Sequence, residues 1–203
     1  MGIERARVVE VRARAGAGSG YLVGDRLVLT AAGVAGRSGP AEVRPAGTGR
    51  WVAASVVWSG ASGGAVLDVD DPSSLMASPD RMPWGRVSGR RPVAVMAMGF
   101  GPSAAPADWP RDADRFVGHV ALGPAGDLTV TASPVSAPAT AGMSGAALFA
   151  GAEVVGILLG GDRPRAVPSE AMAADPGFAA LFGDRGLLAL VPVTAPASGF
   201  PIL

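Results

Sequence analysis

The chain has 203 residues, 49% hydrophobic and 17% charged, with 17 basic and 17 acidic side chains and a formal net charge of zero. It is long enough to bury a sizeable core, and its charge balance excludes a charged disordered tail and the basic footprint of a nucleic-acid binder. With 30 Gly and 18 Pro and no Gly-X-Y period, it reads as a turn-rich β protein rather than a collagen.

Val8 to Ala13 alternates loosely and predicts a strand, which the glycine-rich run Ala15–Gly20 breaks. Tyr21-Leu22-Val23 and Leu27–Thr30 flank Gly24-Asp25-Arg26 and predict a hairpin. Trp51–Trp58 and Ala65–Val69 follow as strands, and Asp70-Asp71-Pro72 ends the second. Residues 72–90 are rich in Pro, Ser and Gly and read as a loop, marking a boundary between halves 1–88 and 89–203. Pro92–Phe100 predicts a strand, Gly101–Asp112 a Pro/Ala loop, and Phe116–Leu122 with Asp127–Ala132 a strand pair. Leu148-Phe149 and Val154–Leu159 flank a Gly-Ala-Glu turn as a further hairpin. Ser169–Phe182 is the one helical stretch, with Ser169 as N-cap and Asp175-Pro176 splitting it into two pieces. Val191-Pro192-Val193 ends the chain's regular structure. Roughly a dozen short strands with turns every 8–12 residues indicate an all-β sandwich or a pair of barrels.

The missing residue types narrow the chemistry. There is no Cys, so disulfides, thiolate nucleophiles and Cys-based zinc sites are excluded. All basic residues are Arg, which removes Schiff-base and Ser–Lys mechanisms and a Walker-type phosphate loop. A single His, His119, excludes paired-His metal sites, and no cofactor is expected. No charged and apolar leader precedes the first strand, and no apolar run reaches the roughly 20 residues of a membrane helix, so a cytoplasmic location is expected.

Three segments, in order, resemble the trypsin-like serine peptidases of the chymotrypsin fold. Gly18-Ser19-Gly20-Tyr21-Leu22-Val23 with Leu27-Val28-Leu29-Thr30-Ala31-Ala32-Gly33 is similar to the family's glycine-rich strand and its "LTAAH". Trp58 with Gly63-Gly64-Ala65-Val66-Leu67 resembles the "D-x-A-L-L" strand. Gly142-Met143-Ser144-Gly145-Ala146 resembles the nucleophile turn "G-x-S-G", and Val155–Gly160 the strand lining the specificity pocket. The pieces Val69-Asp70-Asp71-Pro72, Trp84-Gly85-Arg86 and Gly99-Phe100-Gly101 are similar to an intracellular bacterial branch whose members often stand before other modules. The resemblance implies two antiparallel six-stranded β-barrels, a short C-terminal helix and a site cleft between the barrels.

It also implies roles for particular residues. Ser144 takes the nucleophile position, and the N–H groups of Gly142 and Ser144 the oxyanion hole. Leu158, Leu159 and Gly160 fall at the substrate-binding strand, and Ser136–Thr140 at the opposite pocket wall. These residues are small or apolar, which favours small or hydrophobic peptide side chains. The base position, His in the family, is Gly33, and the acid position, Asp in the family, is Gly63. Removing the base of such a triad costs on the order of 10⁶ in turnover. A silenced domain that binds a peptide or protein in the cleft is therefore expected. The alternatives are a serine endopeptidase with base and acid removed, one using a substrate's own His, and a structural domain of a longer polypeptide. Other residues take plainer readings. His119 is structural, Asp68, Asp70 and Asp71 form a solvated strand end, and the four Arg between Arg5 and Arg14 form a solvated strand face. Trp51, Trp58, Trp84 and Trp109 are core residues or loop anchors.

Overall fold

Valine-rich alternation builds the first sheet. β1 (Val8–Ala13), β2 (Gly16–Leu22), β3 (Leu27–Ala31), β4 (Pro40–Pro45), β5 (Val52–Ser59) and β6 (Gly64–Val69) close into a barrel in the order β1-β2-β3-β6-β5-β4. Every pairing in it is antiparallel. Val9, Val11, Leu22, Leu29, Val43 and Leu67 are fully buried. The computed structural model describes residues 3–75, 82–101, 109–133, 142–160, 164–182 and 188–196.

The second sheet holds β7 (Trp84–Val87), β8 (Val93–Gly99), β9 (Asp114–Leu122), β10 (Leu128–Ala132), β11 (Ala147–Ala150), β12 (Glu153–Leu159), β13 (Arg165–Pro168) and β14 (Leu190–Val193). The run β8-β9-β10-β13-β12-β11 closes on itself through Phe149↔Met96, giving a second six-stranded barrel. β7 joins the edge of β12 in parallel and β14 joins β7. The fold is all-β with two closed antiparallel barrels, as the resemblance implies.

Four departures from the sequence reading each have a physical cause. The glycine-rich run read as a break is strand β2. Glycine is needed there because a Cβ at Gly20 would meet Val28 Cγ1 at 2.7 Å and Val11 Cγ2 at 2.9 Å. β7 lies inside the stretch read as a loop, held by partners far away in sequence. β4 and β13 carry too few apolar residues to stand out. Arg7, read as solvated, is 1% exposed, with Nε donating to Glu4 at 3.0 Å.

The helical stretch does divide in two: α2 (Ser169–Ala173) and α3 (Pro176–Phe182). The N-cap is Pro168, not Ser169, whose hydroxyl donates to Val154 O at 2.8 Å. A shorter turn of helix after β3, α1, runs Ala32–Ala35 and is written αN below. Both C-terminal pieces reach back to the first barrel. The Phe178 ring lies 4.9 Å from Trp58 of β5 and 5.4 Å from Trp84, and Met172 packs over Gly64.

Candidate active site

Ser144 sits in a turn between two glycines that both require positive φ, Gly142 at 87° and Gly145 at 91°. Three backbone bonds hold the turn. Ser19 N donates to Ser144 O at 2.8 Å, Gly145 N to Leu158 O at 2.8 Å, and Ala146 N to Met143 O at 3.0 Å. Met143 and Ala146 are fully buried, while Ser144 is half-buried and Gly142 exposed. A Cβ on Gly145 would collide with Ser19 O and Thr30 Oγ1, so the turn seats directly against β2 and β3. Among the described residues, no acceptor meets the N–H of Gly142 or of Ser144.

The positions that the resemblance assigns to base and acid lie at the same barrel junction. Gly33 is exposed within αN, which follows β3 directly. Gly18 stands between this turn and the nucleophile turn: a Cβ there would meet Val34 Cγ2 at 2.7 Å and Ser144 O at 2.5 Å. Ala32 N donates to Gly63 O at 2.8 Å, tying αN to the turn before β6. On the other side, a Cβ at Gly63 would lie 3.4 Å from Val167 and 3.9 Å from Leu159, and one at Gly160 would lie 3.1 Å from Ser144 Cβ. Leu159 and Gly160 thus bridge Gly63 and Ser144.

The two glycines differ. Around Gly33 nothing lies within 4 Å of where a Cβ would stand. Gly63 has φ +99°, a backbone that L side chains adopt only under strain. Leu158, placed with the substrate-binding residues, is 2% exposed in the second barrel's core. Its backbone N–H and C=O are both engaged with the nucleophile turn, so it supports that turn from behind. Leu159 is half-buried and Gly160 exposed, facing the junction. Ser136–Thr140 lie outside the described residues.

His119 is exposed on β9, opposite Ala94 and Thr131, with Phe116, Gly118 and Val120 filling the barrel side of that strand. Asp68 pairs with Arg26 at the far end of β6. Trp84 is buried, Trp109 is 64% exposed, and Arg12 and Arg44 stack on Trp51 at 4.4 and 4.5 Å. Among the described residues no group of three His, Cys, Asp or Glu converges as a metal site, and no helix is long and apolar enough to cross a membrane.

Among the described residues, two cavities lie at the junction. One, about 300 Å³, includes Ser62, Asp127, Leu159 and Val167 in its lining; the other, about 210 Å³, includes Glu10, Gly18, Arg111 and Gly142. Their residues come from widely separated stretches of the chain, so no local pattern announces them.

No family model matches the chain, and no curated protein sequence does. Solved structures do. The inactive form of the Rv3671c protease of M. tuberculosis superposes with a TM-score of 0.62 at 18% identity, covering 89% of this chain and 90% of that one. The MamO protease domain of Magnetospirillum magneticum gives 0.60 at 21% identity, over 84% and 95% of the two chains. A serine endoprotease of Yersinia pestis gives 0.59 at 22% identity over 84% of this chain and 64% of its own. The chain therefore has the fold of the trypsin-like serine proteases.

Proposed function

We propose that this chain is a catalytically silenced trypsin-like domain that binds a peptide or protein segment in the cleft between its barrels. The observation that carries the reading is the backbone at Gly63, whose φ of +99° suits a residue without a side chain. An acid restored there costs strain before it can orient a base. In this reading Gly33 stands at the base position, so Ser144 has no neighbouring imidazole to take its proton. The amide donors at Gly142 and Ser144 still offer a peptide carbonyl somewhere to bind. Zero net charge favours a peptide over nucleic acid as partner. The same proposal places the domain in the cytoplasm, away from membranes, with further domains of a longer polypeptide among its partners.

Fluorophosphonate labelling tests this, run on the unmodified chain beside Gly33→His, Gly33→His/Gly63→Asp and Ser144→Ala. The unmodified chain is expected to label no faster than the Ser144→Ala control. Gly33→His is expected to raise labelling, and adding Gly63→Asp to raise it little further. Rapid modification of Ser144 in the unmodified chain overturns the reading. The open space at Gly33 favours a second one, an endopeptidase whose base is a substrate's own His. Cleavage confined to His-containing peptides would select it.

A further inference from the structure

The smaller cavity carries a charge arrangement that the nucleophile turn does not need. Glu10, Ala17 and Gly18 of the first barrel and Phe100, Arg111 and Gly142 of the second line it. It opens beside the nucleophile turn, because Gly142 is part of that turn and Gly18 lies against Ser144 O.

The Glu10 carboxylate, 10% exposed, accepts from two guanidinium groups, Arg44 behind it and Arg111 at the cavity. Arg44 is 1% exposed and also donates to Trp109 O at 2.9 Å. Two guanidinium groups on one carboxylate mask the charge that Glu10 turns toward the cavity.

Arg111, 18% exposed, presents the guanidinium fork. Its Nη1 donates to Glu10 Oε1 at 2.5 Å, its Nη2 to Gly101 O at 2.5 Å, and its Cζ lies 5.6 Å from the Phe100 ring centroid. Those bonds and the ring fix the fork while using only part of its donor capacity, which suits a planar, bidentate acceptor.

We propose that this cavity binds a carboxylate of the docked peptide through Arg111, an inference that rests on the peptide-binding reading above. The carboxylate comes from an Asp or Glu side chain or from a free C-terminus. The cavity is thus the selective element of the cleft, and the apolar wall at Leu159 is the permissive one.

The test uses fluorescein-labelled octapeptide mixtures in which one position at a time is fixed as Asp, Glu, Ala or Lys. Each is made with an amidated and with a free C-terminus, and binding is read by fluorescence polarisation. Acid-bearing mixtures are expected to bind the unmodified chain about tenfold more tightly than the amidated Ala mixtures. The amidated acidic and free-ended neutral arms tell a side-chain carboxylate from a chain terminus. Arg111→Met is expected to abolish the preference. Ala17→Asp, at an exposed lining position, is expected to abolish it by placing a carboxylate at the cavity without touching the Glu10 network. Thermal unfolding of both variants accompanies the titrations. If neutral mixtures bind with no acid preference, or the preference survives both variants, the inference falls and the peptide-binding reading stands. If no mixture binds at all, both fall.

Discussion

The turn carrying Gly33 and the turn carrying Gly63 are joined by one hydrogen bond, from Ala32 N to Gly63 O, yet they treat a side chain in opposite ways. Gly33 lies in a helical turn with open space where a Cβ would stand. Gly63 lies in a turn whose φ of +99° is itself the obstacle. One position lacks a side chain but could hold one. The other has a backbone that suits the lack. At these two positions the torsion angle, more than the lack of a side chain, decides whether one can be added.

Substitutions to alanine break or sharpen this contrast. The largest effect is expected at a third glycine, Gly145, where positive φ and steric exclusion coincide. Gly145→Ala should cost about 3 kcal/mol or more, seen as a large fall in the urea midpoint or as failure to fold. Gly63→Ala has room, with its nearest contact at 3.4 Å, so it isolates the torsional part. It should cost about 1–2 kcal/mol. Gly33→Ala should carry the opposite sign, a gain of up to about 1 kcal/mol from better helix propensity. Urea unfolding with an unchanged slope reads all three. Equal costs at 33 and 63 would erase the distinction.

The smallest effect tests the buried core. Tyr21 is the only tyrosine, is 2% exposed, and accepts a bond from Glu4 N at 3.1 Å. Burial pushes its phenol above the ordinary value, and the bond from Glu4 N only partly offsets this. The folded state thus favours the neutral phenol. Its contribution is whole below the unfolded value of about 10 and is lost as pH rises toward the higher folded one. Tyrosinate absorbance should therefore rise later in the folded chain than in urea, with stability falling over the same alkaline window.

The hairpins β2–β3, β9–β10 and β11–β12 were legible because apolar runs flank recognisable turns. The turn at Ser144 was legible because Gly-Met-Ser-Gly compresses its geometry into adjacent residues. What escaped depends on distant partners. β7 becomes a strand only beside β12 and β14. Arg111 meets Glu10 across 101 positions of sequence. The Gly16–Gly20 run looked like a breaker because propensity ignores crowding, and crowding by Val11, Val28 and Ser144 is what demands glycine there. No residue pattern reports the φ of Gly63.

The aromatic clasp of Phe178 on Trp58 has a consequence for how the molecule is made. A ribosome releases the first barrel long before the segment that covers its β5 indole. Until then Trp58 and the face over Gly64 await Phe178 and Met172, so a chain stopped short of Ser169 presents a sticky, half-finished surface. Completion of the first barrel is thereby deferred until the strands of the second, through β13, have been made.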